Sequence, residues 1–199
     1  KLMISLGKGE KWYDYSIGVT QKEYAQLEEV ILRQINYNGW FTKENVQQSL
    51  LALGEQMSEG KMAQWSSDYI FSSKPKAVAL IMAGNIPLVG FHDFLSTLIS
   101  GHKAICKLSS DDKTLLPLLA EHLITFVPAL KDRIEITTGR VTEMEAVIAT
   151  GSDNSMQYFK QYFGKYPHIF RSNRTSVAVI TGNETKEQLE ILGNDVFNY

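Results

Sequence analysis

Three short stretches of this chain carry residues whose types and spacing could do chemistry. In Ala83-Gly84-Asn85-Ile86-Pro87 a glycine that permits a tight backbone precedes an amide, and a proline fixes φ at the start of a helical pattern. An amide held on so rigid a turn could stabilise a developing oxyanion. Lys107-Leu108-Ser109-Ser110 puts an ammonium and two hydroxyls at the end of an apolar run, donors that suit ribose or phosphate. Thr150-Gly151-Ser152 follows Ala146-Val147-Ile148-Ala149 and precedes a helical pattern, so backbone N–H groups and the Ser152 hydroxyl could hold a phosphate at a helix N-terminus. Each stretch alone also fits a plain structural role: a strand-to-helix turn, a solvated strand end, a helix cap. Three such strand ends in one sheet are harder to explain by capping, and together they suggest a nucleotide cleft.

The elements that would position them change character along the chain. Tyr24, Leu27, Val30, Ile31 and Ile35 recur at helical spacing over Gln21 to Gln34, ended by Asn38-Gly39. Thr42 is the candidate N-cap of a second helix carrying Val46, Leu50, Leu51, Leu53 and Met57, and a third short helix carries Met62, Trp65 and Tyr69. Pro75 marks a boundary, and the expected division is an N-terminal helical segment over 1–75 packing on an α/β domain over 76–199. Beyond it the pattern predicts strands at Ala77 to Met82, Lys103 to Lys107, Ile134 to Thr137, Ala146 to Ala149, His168 to Phe170 and Val177 to Thr181. Helices are expected near Val89 to Ser100, Lys113 to Phe126, Asn154 to Phe163 and Lys186 to Phe197. The fold expected is α/β: a Rossmann-like, mainly parallel sheet with helices on both faces.

Composition bounds the function. The chain has 199 residues, 44% hydrophobic and 21% charged, which suits a globular fold with a substantial core. A net charge of -2 supplies no basic field for nucleic acid, so a DNA- or RNA-binding role is disfavoured. No apolar run is long enough to span a bilayer, and the single cysteine fits a reducing compartment, hence a cytoplasmic setting.

Other motifs read as structural. Gly7-Lys8-Gly9 lacks the strand and further glycines of a phosphate loop and reads as a flexible terminus. The four histidines share no ligand spacing with one another or with Cys106, so no metal site is expected. Cys106 lies inside an apolar strand, as a buried and inert thiol would. Asp111-Asp112 and the pair Glu143 and Glu145 read as helix-start or loop charges, and the aromatic set from Phe126 to Tyr166 as packing.

Taken in order, the motifs resemble those of the aldehyde dehydrogenase superfamily. Gly84-Asn85-Ile86-Pro87, Gly101-His102-Lys103-Ala104-Ile105-Cys106-Lys107-Leu108-Ser109 and Ala149-Thr150-Gly151-Ser152 look like its N-x-P, G-N-x-V-x-x-K-x-[SA] and F-T-G-S signatures. Within it, Trp40-Phe41-Thr42-Lys43-Glu44-Asn45-Val46, the run from Arg171 to Val179, and the ending Asp195-Val196-Phe197-Asn198-Tyr199 resemble the acyl-CoA reductase branch, which includes the fatty acid reductase component of bacterial luminescence. The resemblance runs from about Trp40 to Tyr199.

It implies an aldehyde dehydrogenase-like cofactor-binding domain and the following roles. Asn85 would stabilise the oxyanion, Lys107 would contact the adenosine ribose with Ser109 and Ser110 beside it, and Ser152 would meet the pyrophosphate, Gly151 allowing close approach. Many NAD-using members carry a glutamate three residues after that lysine. Ser110 stands here instead, leaving room for the 2′-phosphate of NADPH, with NADH still open. The general-base glutamate of hydrolytic members falls in the register of Phe170, so an acyl-enzyme thioester would be spared hydrolysis.

The family's nucleophilic cysteine comes after the segment matched by Phe197-Asn198-Tyr199, and Cys106 sits on the wrong strand to replace it. The expectation is therefore the cofactor-binding part of a longer NADPH-dependent acyl-CoA or acyl-thioester reductase of fatty acid metabolism. It would form an aldehyde through an acyl-cysteine intermediate, and would be inactive by itself. Partners implied are the acyl thioester, and in the full-length enzyme a homo-oligomer or an acyl-donor protein. Two other classes fit the residues alone: a noncatalytic nucleotide-binding or assembly module, and another α/β transferase using a sugar nucleotide or CoA.

Overall fold

A computed structural model describes residues 1–69, 71–172 and 175–197. Among them, five strands form one sheet: β1 (Ala77–Ile81), β2 (Lys103–Lys107), β3 (Ile134–Thr137), β4 (Ala146–Thr150) and β5 (His168–Arg171). Their order is β3-β2-β1-β4-β5 and every pairing is parallel, so the expected Rossmann-like α/β architecture is the observed one. The three inner strands β2, β1 and β4 carry short apolar runs because both of their faces are covered. Val78, Leu80, Ala104 and Cys106 face one core, whereas Ala79, Val147 and Ala149 face the other.

Helices between the strands cover those faces. After β1 comes α5 (Phe91–Ile99), which buries Phe91, Phe94 and Leu98, and after β2 comes α6 (Leu115–Phe126), which buries Leu115, Leu116 and Ala120. Both contribute to the larger core. On the opposite face α7 (Asp153–Phe163) lays Phe159 and Phe163 against Ala79, Val147 and Ala149. Among the described residues, four α-helices precede the sheet: α1 (Leu2–Gly7), α2 (Gln21–Arg33), α3 (Lys43–Gln56) and α4 (Glu59–Ser66). Leu6, Tyr24, Leu27, Ile31, Val46 and Leu50 from this segment share the larger core with β1, β2, α5 and α6. Caps set the helix starts: Thr20 and Glu23 form a reciprocal capping box on α2, and the Thr42 hydroxyl accepts the Asn45 N–H on α3.

Two expectations change. The terminus read as flexible is α1, and Gly7-Lys8-Gly9 is its end. Its backbone crosses α3 closely: a Cβ on Gly7 would come within 2.7 Å of Leu51, and one on Gly54 within 2.7 Å of Ile4. Six residues show too little periodicity to signal a helix that exists through this contact. The strand expected at Val177 to Thr181 does not form, since no described strand pairs with it and Val177 and Val179 are 87% and 83% exposed. β-branched alternation suits a strand but cannot replace a partner's hydrogen bonds. The helix expected after it is present as α8 (Lys186–Phe197).

Candidate functional site

In this strand order the connections leave β1 for β2 on one side and reach β4 on the other, so the crevice between the C-terminal ends of β1 and β4 is the topological switch point. A cleft of about 1020 Å³ opens there. Its walls come from the ends of β1, β4 and β5 and include Gly84, Asn85, Gly151, Ser152 and Arg171. This exceeds the volume of most small-ligand pockets. A smaller apolar cavity of about 220 Å³ lies between α4 and α5, lined by Met57, Met62, Trp65, Phe91 and Leu95, and contains none of the expected site residues.

The turn bearing Asn85 is held from three sides. The Asn38 side-chain amide donates to the Gly84 carbonyl at 3.0 Å. Gly84 packs against the loop after β2, where a Cβ would meet Ser109 Cβ at 2.6 Å. Leu88 has φ +60, the one non-glycine residue at positive φ among those described, and its N–H donates to Asp112 Oδ2 at 2.9 Å. A left-handed leucine costs of order 1 kcal/mol or more, so a turn of this shape needs such a fastening. The Asn85 side chain itself is exposed in the cleft and has no hydrogen-bond partner among the described residues, which leaves its amide donors for a ligand oxygen.

Across the cleft, Ser152 is the N-cap of α7, its hydroxyl accepting the Ser155 N–H at 3.4 Å. The Gly151 N–H is already donated to the Arg171 carbonyl at 3.1 Å. Anion binding at this helix start would therefore fall to the amides beyond Gly151 and to the Ser152 hydroxyl. Gly151 also lies so close to α7 that a Cβ would stand 2.9 Å from Ser155 Cβ.

Lys107, Ser109 and Ser110 flank the cleft without lining it. Lys107 ends β2 in register with Ile81, a cleft residue, on the sheet face that α7 shares, and its ammonium has no ion pair among the described residues. The Ser109 hydroxyl accepts the Asp111 N–H at 3.2 Å, and the Ser110 hydroxyl donates to Asp111 Oδ1 at 3.1 Å. The structure thus brings Asn85, Gly151 and Ser152 into one cleft and sets the other three on its β2 side, all at the C-terminal rim of the sheet.

Several residues at this rim are not evident from sequence. Asp111 lines the cleft, while its neighbour Asp112 is 8% exposed and buried behind the Asn85 turn. Burial pushes the Asp112 carboxyl up to about 6, partly offset by the hydrogen bond from Leu88. Its Oδ1 has no partner among the described residues. Arg171, at the end of β5, forms an ion pair with Asp93, a residue of α5 that is 7% exposed, tying the edge strand to the helix that follows the Asn85 turn. Asn173, Arg174, Asn198 and Tyr199, parts of the motifs quoted above, lie outside the described residues. Cys106 is buried in β2, and burial drives its thiol up to about 12, which fits an inert core residue.

An all-parallel sheet in this order, with a cleft at its switch point, defines a doubly wound, Rossmann-like α/β protein. Within that class the chain belongs to the acyl-CoA reductase (LuxC) family, whose model matches residues 9–199. The match extends further toward the N-terminus than the motif resemblance, which begins at about Trp40. No curated protein and no solved structure matches the chain. Membership places it with acyl-CoA reductases, oxidoreductases acting on an acyl substrate. No helix among the described residues is long and apolar enough to cross a membrane.

Proposed function

We propose that these residues form the nicotinamide-nucleotide-binding part of an NADPH-dependent acyl-CoA, or acyl-thioester, reductase that releases an aldehyde by way of an acyl-cysteine intermediate. The observation that carries this reading is the convergence of Asn85, Gly151 and Ser152 in one cleft at the switch point, beside Lys107, whose ammonium has no ion pair among the described residues. The residues present fit a dinucleotide. The cleft is large, the start of α7 offers backbone N–H groups to a pyrophosphate, and Lys107 offers a cation near the ribose. When bound, the nicotinamide supplies the hydride.

The chain's own residues do the rest. Asn85 donates its amide to the oxygen that gains charge as the acyl carbon becomes tetrahedral. The turn fixed by Asn38, Ser109 and Asp112 holds the Asn85 backbone at the cleft, so less reorganisation is needed to present that amide. The acyl-accepting thiol is assigned to a cysteine other than Cys106, whose burial and raised pKa oppose attack. We divide the chain into a helical segment over 1–75 and a nucleotide-binding domain over 76–199, and we assign it to cytoplasmic fatty acid metabolism, a setting that a single buried, reduced cysteine supports.

One observation favours NADH as a second reading: Asp111 puts a carboxylate in the cleft wall one residue beyond Ser110, where it would repel a 2′-phosphate and accept ribose hydroxyls. Calorimetric titration with NADPH and NADH tests both readings. The expected result is binding of NADPH that weakens in Lys107→Ala and in Ser152→Ala. Absence of binding by either nucleotide would overturn the assignment.

A further inference from the structure

We propose that Trp40 is the stacking platform for a planar ring of the nucleotide held in the cleft, an inference that rests on the nucleotide reading above. Trp40 lines the cleft and is 72% exposed, an unusual position for the largest apolar side chain. Its backbone nevertheless is fixed on both sides. The Trp40 N–H donates to Asn38 Oδ1 at 3.0 Å, and its carbonyl accepts from the Asn45 amide at 2.8 Å. The next residue, Phe41, is fully buried, and Thr42 caps α3. The same Asn38 side chain donates to the Gly84 carbonyl, so the indole and the Asn85 turn are parts of one fastened wall.

The other tryptophans are used internally. Trp12 donates its indole N–H to the Val19 carbonyl and meets the Tyr15 ring edge-on, and Trp65 packs against Tyr69 and His92. Trp40 has neither a ring partner nor an indole hydrogen bond among the described residues. An unpartnered indole carried on a fixed backbone in a cleft offers a π-face to a flat heteroaromatic ring, with only two side-chain torsions to order. Both the adenine and the nicotinamide of a dinucleotide are such rings.

The test combines calorimetry with tryptophan fluorescence during titration with NADPH, whose reduced nicotinamide absorbs indole emission. Losing a base–indole stack weakens binding by about 5- to 150-fold, so Trp40→Ala should fall in that range. Trp40→Phe should recover most of the loss. The thermal midpoint should stay unchanged in both variants, since an exposed side chain contributes little to folding. NADPH should quench the emission that disappears in Trp40→Ala. Parallel titrations with 2′,5′-ADP and with reduced nicotinamide mononucleotide identify the ring, because only the fragment that stacks loses affinity in Trp40→Ala. Equal NADPH affinity in wild type and Trp40→Ala, with Trp40 emission unquenched, overturns the stacking role and leaves the nucleotide reading intact. No NADPH binding to the wild type overturns both.

Discussion

Replacing Asp112 with asparagine should change how stability depends on pH, by an amount that the site's geometry sets. Asp112 is 8% exposed among Met82, Leu88, Phe91, Leu108 and Leu116, and its one hydrogen bond among the described residues is from the Leu88 N–H. Desolvation raises it to about 6 from an ordinary 3.8, the Leu88 bond opposing part of the rise. Between those values the native state holds a proton that the unfolded chain has released. Stability therefore falls as pH rises from about 4 to about 6 and is level above that, a loss of about 3 kcal/mol from this one group. Asparagine can still accept the Leu88 N–H but has no proton to release.

Urea unfolding of both proteins from about pH 4 to about pH 8 isolates the effect, because the exposed carboxylates of Asp14, Glu23 and Glu184, all held below their usual range by local hydrogen bonds, are common to both and cancel in the difference. Asp112→Asn should gain on the wild type by about 3 kcal/mol across that range, nearly all of it below about pH 7. A difference that does not vary with pH would mean that the carboxyl titrates alike in both states and that its burial does not raise it.

Other substitutions probe the remaining fastenings. Gly84→Ala would drive a Cβ to 2.6 Å from Ser109 Cβ, so it should cost about 1–3 kcal/mol in chemical unfolding and weaken nucleotide binding, with Ser109→Gly in the same chain restoring part of both. Arg171→Ala leaves the buried Asp93 carboxylate without its cation and should cost about 3 kcal/mol or more, while adding Asp93→Asn recovers much of the loss; equal stability of the two variants would refute the pairing. Asp111→Asn should raise the ratio of NADPH to NADH affinity in competition titrations, and an unchanged ratio would mean that this carboxylate does not meet the ribose.

The sheet was readable because each buried strand writes its burial locally. The runs at Ala77, Lys103 and Ala146 are apolar where both faces are covered, and the α5, α6 and α7 patterns carry the matching apolar stripes. Val177 to Thr181 has the same local pattern without a partner strand among the described residues, and α1 forms through contact with α3 more than through its own six residues. Within the cleft, the Gly84-Asn85 turn and the Ser152 cap are local motifs and were legible for that reason.

The residues that fasten them were not. Asn38 reaches Gly84 over 46 positions, Asp112 reaches Leu88 over 24, and Arg171 reaches Asp93 over 78, and such pairs leave no periodic trace. Asp111 and Asp112 are adjacent and chemically identical, yet one lines the cleft and the other is buried behind it, a difference that only the path of the loop after β2 decides.

A crystal structure of the chain with NADPH measures nucleotide placement at the switch-point cleft most directly. The pyrophosphate should lie at the start of α7 beside Ser152, a ribose within reach of Lys107, and the nicotinamide end toward Asn85. A dinucleotide bound elsewhere, in the apolar cavity between α4 and α5 for example, would contradict it.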